Sequence, residues 1–392
     1  MRVLCVDIGT GTQDIYLYDS QIDIENGFKL VVPAPTMIVR RKLQMATESR
    51  KPVFLSGVTM GGGPSHWAAE DHLKAGLGIF STPAAARSFN DDLQVVEEMG
   101  ITIVDPEDIG SAGSDAVHIE MLDFNFQAIE EAMGAFGVSL AGLSAIAVAV
   151  FDHGAAPPGY SDRRFRFDYI RERVGEDDRL STFAFHSEDV PRRMTRLRSV
   201  VESAADVDAP LVLMDTAPAA VLGAYQDPEV SSHRRVIVAN VGNFHTLAFQ
   251  LDSGRIGGVF EHHTGLLNVS KLDRLLGELA DGTISNNAVY EDSGHGSYIH
   301  PSFQVESGNG DYQVAITGPR RKMMANSALN PYFATPFGDM MLTGCFGLLA
   351  STAELLPHLA DPIIASLRGS GGSGTPPWEI AWSLSSRPHS KT

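Results

Sequence analysis

The chain contains one short segment twice, and this duplication constrains its fold more than any other feature. Residues 7–19 read Asp-Ile-Gly-Thr-Gly-Thr-Gln-Asp-Ile-Tyr-Leu-Tyr-Asp, and residues 240–252 read Asn-Val-Gly-Asn-Phe-His-Thr-Leu-Ala-Phe-Gln-Leu-Asp. Each copy follows an apolar run and ends on an aspartate twelve positions after its first residue. This pattern predicts a β-hairpin whose small, polar tip can point backbone N–H groups at an anion. Two such hairpins in different halves predict a phosphate held between two related lobes.

Length and charge limit the class of protein. With 392 residues, 43% of them hydrophobic, the chain can form about two or three domains with large cores. The net charge of −18 argues against a nucleic-acid surface, because a phosphate backbone needs a basic patch. No apolar run reaches the ~18 residues of a membrane helix, and the N-terminus shows no signal-peptide pattern. We therefore expect a cytoplasmic protein in which Cys5 and Cys345 are buried free thiols.

The order of apolar patterns predicts an α/β fold, because strand and helix patterns alternate through the first half. A strand at 52–60 leads into a glycine run and a helix at 65–75. We also expect extended chain at 35–39, a helix at 320–329 and a closing helix rich in small residues at 340–355.

The same pattern divides the chain into two lobes and a tail. The N-terminal lobe takes residues 1–228, with a helical surface insertion at about 160–205. The C-terminal lobe takes residues 229–368. Residues 369–392 have the Gly/Ser/Pro-rich composition of a flexible tail, which contains Trp378 and Trp382.

The first hairpin resembles the first phosphate motif of the actin-like ATPase superfamily, which includes sugar kinases, chaperone ATPases and actin. The resemblance implies a two-lobed fold of the ribonuclease H-like kind, with duplicated mixed-sheet domains and ATP bound with Mg²⁺ between the lobes. In that superfamily the motif's aspartate, here Asp7, helps to hold the hydrated metal ion. The second hairpin is similar to the second phosphate motif, and residues 314–318 to the adenosine motif. The implied cofactor-binding residues are Asp7, Gly9, Thr10, Gly11, Thr12, Gln13, Asn240, Gly242, Asn243, Thr246 and Gly318.

Two strand-end aspartates are candidates for catalysis. Asp215 opens a segment similar to the one that carries the general base in hexokinases and repressor-type sugar kinases, and it could equally cap the following helix. Asp152 ends a buried strand at the same sheet edge, where open α/β sheets bind ligands. Asn240 departs from the superfamily, which usually has an aspartate there, and this weakens metal and water activation. Pro319 departs as well, since proline has no N–H to donate.

Other polar clusters have both a functional and a structural interpretation. Glu261-His262-His263 could hold a metal ion, although adjacent histidines on a strand face opposite sides. His295 and His300 do not have a zinc-site spacing. Residues 61–63 could cradle a phosphate or form a plain turn. We interpret one basic cluster as a solvated helix face, with docking of an acidic partner as the alternative: Arg192, Arg193, Arg196 and Arg198.

More narrowly, the chain is similar to a family of unknown function often labelled as pyruvate formate-lyase activating enzymes. An activase that forms a radical holds an iron–sulfur cluster on clustered cysteines. This chain has only two cysteines, 340 positions apart, so we do not expect radical chemistry. We expect an ATP-binding protein that acts by phosphoryl transfer to a small-molecule substrate or by ATP-driven activation of a partner enzyme. A catalytically degenerate binding or scaffold protein of the same fold is the alternative.

Overall fold

The computed structural model describes residues 1–107, 113–303 and 312–372, together with residues 374, 376 and 379. Over these residues the strands are β1 (Arg2–Ile8), β2 (Thr12–Asp19), β3 (Phe28–Pro33), β4 (Val53–Gly57), β5 (Ile79–Ser81), β6 (Ile101–Ile103), β7 (Val117–Met121), β8 (Ala145–Val150), β9 (Ala184–His186), β10 (Leu211–Asp215), β11 (Arg235–Val241), β12 (His245–Asp252), β13 (Arg255–His263), β14 (Gly296–Ile299), β15 (Gln313–Thr317) and β16 (Tyr332–Phe333). The α-helices of the same part are α1 (Pro35–Glu48), α2 (Pro64–Lys74), α3 (Pro83–Ala86), α4 (Leu93–Glu98), α5 (Phe126–Ala135), α6 (Asp162–Glu176), α7 (Thr195–Ser203), α8 (Thr216–Ala224), α9 (Pro228–Ser231), α10 (Val269–Ala280), α11 (Asn286–Glu291), α12 (Thr343–Leu355) and α13 (Ala360–Leu367).

Two mixed sheets carry the duplicated hairpins and share one strand order. The first sheet runs β3-β2-β1-β8-β10-β9 and the second runs β14-β13-β12-β11-β15-β16. In each, the first hairpin strand pairs antiparallel with its hairpin partner and parallel with a later strand. Strands β3-β2-β1-β8-β10 therefore correspond one by one to β13-β12-β11-β15-β16. This duplicated arrangement is the two-lobed, actin-like α/β fold that the sequence predicts.

A third sheet is inserted between β3 and β8. Its order is β6-β5-β4-β7, and every pair in it is parallel. It packs with α1 to α4 around a hydrophobic core of its own. The expected extended chain at 35–39 is wrong, because Pro35 begins α1. Proline suits a first helical turn, where its missing N–H would have no partner.

The structure tests three further expectations. The expected helix at 320–329 is wrong, since Pro319 is followed by a short 3₁₀ turn at Arg321–Met324. The closing helix is confirmed as α12. Residues 160–205 form α6 and α7 and also supply the edge strand β9, which the sequence pattern did not predict.

Cys5 and Cys345 are buried free thiols, as expected, and burial raises the pKa of both thiols. Trp378 and Trp382 lie outside the described residues, as does most of the predicted tail. In the described ranges, no helix combines the length and the apolar character needed to cross a bilayer.

Helices α8 and α12 join the two large sheets by crossing each other. α8 follows β10 of the first sheet and packs on β11, β12 and β15 of the second, whereas α12 packs back on β1, β8 and β10. Their backbones touch at Gly223 and Gly347. A β-carbon at Gly223 would lie 1.6 Å from the Thr343 carbonyl oxygen, and one at Gly347 would lie 1.9 Å from that of Ala219. The crossing therefore depends on these glycines.

The third sheet and helices α1 to α4 together form an inserted unit. A buried histidine in this unit makes the stability of the protein depend on pH. His72 on α2 is fully buried, with Nδ1 2.8 Å from Thr47 Oγ1, and burial lowers its pKa below the usual 6.5. A depressed histidine pKa stabilises the fold at pH values above the unfolded-state pKa, and this stability is lost as the pH falls below about 6.5.

We therefore expect His72 to lower the free energy of unfolding as the pH falls from about 7 to 5, by up to ~1.4 kcal/mol per pH unit. Denaturant unfolding at several pH values should show a shallower slope for His72→Gln. His118→Gln, at an exposed site on β7, is the control and should keep the wild-type slope. Equal slopes for wild type and His72→Gln would refute this role.

Candidate functional site

The tips of the two hairpins meet at a cleft of about 710 Å³. A β-carbon on Gly11 would come within 3.0 Å of Asn243 Nδ2, so the two tips are almost in contact. This is the juxtaposition that the duplicated sequence predicts. The predicted binding residues that line the cleft are Asp7, Gly9, Thr10, Gly11, Thr12, Asn240, Gly242, Asn243 and Gly318.

Gln13 and Thr246 are the predicted binding residues that do not line this cleft. Gln13 Nε2 donates a hydrogen bond to the Pro33 carbonyl oxygen at 3.1 Å. Thr246 is buried, and its hydroxyl lies 2.9 Å from that of Thr264. Each of these side chains therefore bonds its hairpin to a neighbouring segment of the same protein chain.

Two carboxylates lie side by side at the base of the first tip. Asp7 and Asp14 are direct partners in the register of β1 and β2, so they project from the same face, and each is 8% exposed. Thr216 Oγ1 donates to Asp7 Oδ1 at 2.5 Å, whereas Asp14 Oδ1 is buried and has no hydrogen-bond partner among the residues that the structure describes. Burial raises the pKa of Asp7 to about 7, and burial together with repulsion from Asp7 raises that of Asp14 to about 8.

This pair fits a hydrated divalent cation. Carboxylate oxygens are the ligands that Mg²⁺ prefers, and the unpartnered Asp14 Oδ1 offers one. Helix α12 approaches Asp7 so closely that a β-carbon at Gly344 would lie 1.9 Å from Asp7 Oδ2. The sequence analysis missed Asp14. Its signal was the hairpin register, which puts Asp14 opposite Asp7.

The two aspartates predicted as catalytic lie outside this cleft and are engaged elsewhere. Asp215 is the N-cap of α8, where it accepts a hydrogen bond from the Ala217 N–H at 3.1 Å, and it forms an ion pair with Arg166. Asp152 accepts hydrogen bonds from the Gly154 and Leu197 N–H groups, each at 2.8 Å. Both carboxylates are almost fully buried. Of the two roles considered for Asp215, the structure therefore shows the helix cap.

Arg166 of α6 connects the two lobes behind the cleft. Its guanidinium, fully buried, pairs with Asp215 of β10 and, at 3.1 Å through Nε, with Glu261 of β13. Nη1 also donates to the Asp152 carbonyl oxygen at 3.0 Å. Burial alone would lower the pKa of Arg166, but the two carboxylates raise it, so the group stays charged.

The interpretation of the basic cluster as a solvated helix face is wrong for Arg196. Its side chain is only 16% exposed and lines the cleft. It donates to both oxygens of Asp123, at 2.5 and 2.9 Å, and to the Phe151 carbonyl oxygen at 2.6 Å. The same carboxylate accepts from the Gly61 N–H at 3.2 Å, so Arg196 links α7 to the glycine run, which also lines the cleft.

Phe244 and His245, which interrupt the second tip, point in different directions. The Phe244 ring packs edge-on against Trp67 of α2, with ring centroids 5.8 Å apart, and this contact brings the inserted unit onto the second lobe. His245 instead stacks on Phe151, with centroids 4.2 Å apart.

His245 belongs to a group of histidines that the sequence analysis did not recognise. One ring nitrogen of each of His245, His263 and His295 lies within 4.8 Å of the others. His153 packs edge-on against His245. His262, next in the chain to His263, faces the other side of β13 and lies 3.5 Å from Asp292. Burial lowers the pKa of His153 to about 3 and that of His295 to about 2.

Solved structures that resemble this one belong to several proteins. One is the "Activator of the 2-Hydroxyisocaproyl-CoA Dehydratase from Clostridium difficile with bound ADPNP", at 11% identity over 91% of this chain and 97% of that chain, with a TM-score of 0.33. The ethanolamine utilization protein EutJ from Carboxydothermus hydrogenoformans is 11% identical over 89% of each chain, with a TM-score of 0.29. ROK hexokinase from Thermus thermophilus is 10% identical over 95% of this chain and 98% of that chain, with a TM-score of 0.26. The assignment of the fold rests on the strand order of the two large sheets.

No curated protein matches the chain. Residues 60–323, which are more than half of the chain, match a protein family. The chain therefore belongs to the family described as "Putative pyruvate format-lyase activating enzyme (DUF1786)".

Proposed function

We propose that this protein binds ATP with Mg²⁺ in the cleft between the hairpin tips and works as a slow, nucleotide-dependent switch. The observation that carries the proposal is the meeting of the two glycine-containing tips at one cleft. Backbone N–H groups at such turns form concave sites for anions, and here they come from both lobes. The cleft volume of about 710 Å³ is in the range of small-molecule sites.

Asp7 and Asp14 would hold the hydrated Mg²⁺ in this proposal. When bound, the ion neutralises phosphate charge and so makes a polyphosphate tolerable beside two carboxylates. Thr216 fixes the Asp7 carboxylate through the 2.5 Å hydrogen bond, and Gly344 leaves room for it. The ion would also remove the repulsion between the two buried carboxylates.

The adenosine part of the nucleotide would lie along Gly318 and Arg320. Gly318 has a φ of +97°, and a β-carbon there would lie 2.4 Å from Asn240 Oδ1, so the chain turns tightly behind the second tip. Pro319 offers no N–H, but the exposed Arg320, which also lines the cleft, carries guanidinium donors.

Slow hydrolysis coupled to lobe movement is favoured over rapid transfer to a small molecule. The candidate base Asp215 is held by Arg166 and by the first turn of α8, and Asn240 cannot accept a proton as a carboxylate would. A partner enzyme that responds to the nucleotide state fits the activating role in the family label. To separate hydrolysis from transfer, phosphate release is compared with and without candidate polyols; consumption of ATP without free phosphate would identify a kinase.

Thermal unfolding with nucleotide tests the proposal. We expect Mg-ADP or Mg-ATP at 100 times its Kd to add about 2.7 kcal/mol to the free energy of unfolding. Asp14→Asn should stabilise the ligand-free protein, because it removes a buried like-charge contact, and should abolish the extra stabilisation that Mg²⁺ gives over nucleotide alone.

The matched control is Asp19→Asn, at the other end of β2, which should keep the wild-type response to Mg²⁺. If Asp14→Asn responds to Mg²⁺ as the wild type does, the metal does not bind at this pair. If neither nucleotide shifts the wild-type transition, the proposed function fails.

A further inference from the structure

We propose that His245, His263 and His295 form a binding site for a divalent first-row transition metal ion, separate from the Mg²⁺ site. The proposal does not rest on the proposed function. It rests on three ring nitrogens, one from each histidine, that lie within 4.8 Å of one another.

The sheet topology explains why these histidines meet. His245 begins β12 and His263 ends β13, and the two are direct partners in the register, so both project from one face. His295 immediately precedes β14, the next strand, and its backbone N–H donates to the Glu261 carbonyl oxygen at 2.9 Å. Two adjacent strands and the residue just before a third thus supply one imidazole each, with ring centroids 4.7 to 5.0 Å apart.

Two of the ring nitrogens are buried and unpartnered. Among the described residues, His245 Nε2 and His295 Nδ1 have no hydrogen-bond partner. Buried polar atoms in folded proteins are almost always paired, so these two call for a ligand. Burial also lowers the pKa of both imidazoles, which keeps them in the neutral form that binds metal ions.

Arg166 and its two carboxylate partners lie beside the cluster, and, besides burial, the positive charge of Arg166 helps to lower the pKa of His245 and His295, which keeps their imidazoles in the neutral form that binds metal ions. Arg166 carries one positive charge and pairs with two carboxylates, those of Asp215 and Glu261. Glu261 lies two residues before His263 on β13, so both side chains are on the same face of the strand. The two carboxylates offset the positive charge of Arg166.

The ligand set selects the class of ion. Three imidazole nitrogens suit zinc and its first-row neighbours, whereas magnesium prefers oxygen ligands. Tetrahedral zinc at about 2.0–2.1 Å from each nitrogen requires nitrogens roughly 3.3 Å apart, so the three rings must move closer together when the ion binds. His245 and His263 line the cleft, so the remaining coordination position faces it. That position would take water or an oxygen atom of a molecule in the cleft.

Metal analysis of the full chain tests the site. Protein stripped with a chelator and then dialysed against zinc should retain about one zinc ion per chain. His263→Gln and His295→Gln should each lose this ion, and the matched control His358→Gln, at an exposed histidine, should retain it. Cobalt in place of zinc should give the intense visible absorption of a tetrahedral nitrogen-ligated ion in the wild type and in His358→Gln, and this absorption should be lost in both cluster variants.

Asp14→Asn separates the two metal sites, because it should keep the zinc while losing the response to Mg²⁺. Zinc lost in Asp14→Asn, or retained at wild-type stoichiometry in both histidine variants, would overturn the proposal. So would wild-type protein that holds no zinc and gives no cobalt spectrum. The last outcome would identify the cluster as packed aromatic core. It would leave the nucleotide proposal intact, since nucleotide binding is measured separately.

Discussion

Replacing Arg166 by methionine is expected to lower the free energy of unfolding by about 3–5 kcal/mol. Methionine fills a similar volume but leaves Asp215 and Glu261 buried without a cation, and Arg166 is itself fully buried between them. Removing one partner of a buried ionic group destabilises a protein by more than the intact group stabilises it, because the remaining charges stay desolvated. Denaturant unfolding measures the loss.

Two further variants make this result specific. Arg171→Met changes the same helix at an exposed site, where Arg171 pairs with Asp168 at 3.1 Å, and little change is expected. Adding Asp215→Asn and Glu261→Gln to Arg166→Met should recover much of the lost stability, because neutral amides replace the unpaired charges. If Arg166→Met proves as mild as Arg171→Met, the buried ionic link between the lobes does not hold them together.

Gly223→Ala is expected to destabilise the protein by about 3 kcal/mol or more. The added methyl group would lie 1.6 Å from the backbone oxygen of Thr343, and backbone cannot rotate away as a side chain can. Helices α8 and α12 would have to separate, and each packs on the sheet of the other lobe. The expected result is a lower unfolding midpoint and a weaker response to nucleotide, because the cleft is set by the same crossing.

The control is Gly134→Ala in α5, where a β-carbon would lie more than 4 Å from every atom of the described residues that could hinder it. Alanine favours helix over glycine, so this variant should be unchanged or slightly more stable. A Gly223→Ala protein that unfolds like Gly134→Ala would show that the helices are not in backbone contact.

The doubled hairpin was sufficient to predict the central architecture. Both copies form antiparallel pairs, β1 with β2 and β11 with β12, at the heart of equivalent sheets, and their tips meet at one cleft. Local pattern succeeds here because a hairpin is a short-range structure whose turn and apolar strands lie in one stretch of sequence. The sequence of the inserted sheet shows the same alternation of strands and helices as the rest of the first half. The pattern therefore did not predict that these elements form a separate third sheet with its own core.

The parts of the site that sequence reasoning missed depend on contacts between distant residues. The role of Asp215 is set by Arg166, which lies 49 positions earlier on another element. Arg196 lies in a charged stretch of sequence that is typical of a solvated helix, yet its ion pair with Asp123 holds its side chain at the cleft. His263 and His295 come together only because β13 and β14 pair. Asp14 alone had a local signal, since the hairpin register fixes it opposite Asp7.

A crystal structure of the full chain with Mg²⁺ and a non-hydrolysable ATP analogue would locate the nucleotide and the ion. We expect the phosphates between residues 9–12 and 242–243, the ion beside Asp7 and Asp14, and the adenosine towards Gly318. A nucleotide bound at another surface, with the cleft between the tips left open, would contradict this expectation.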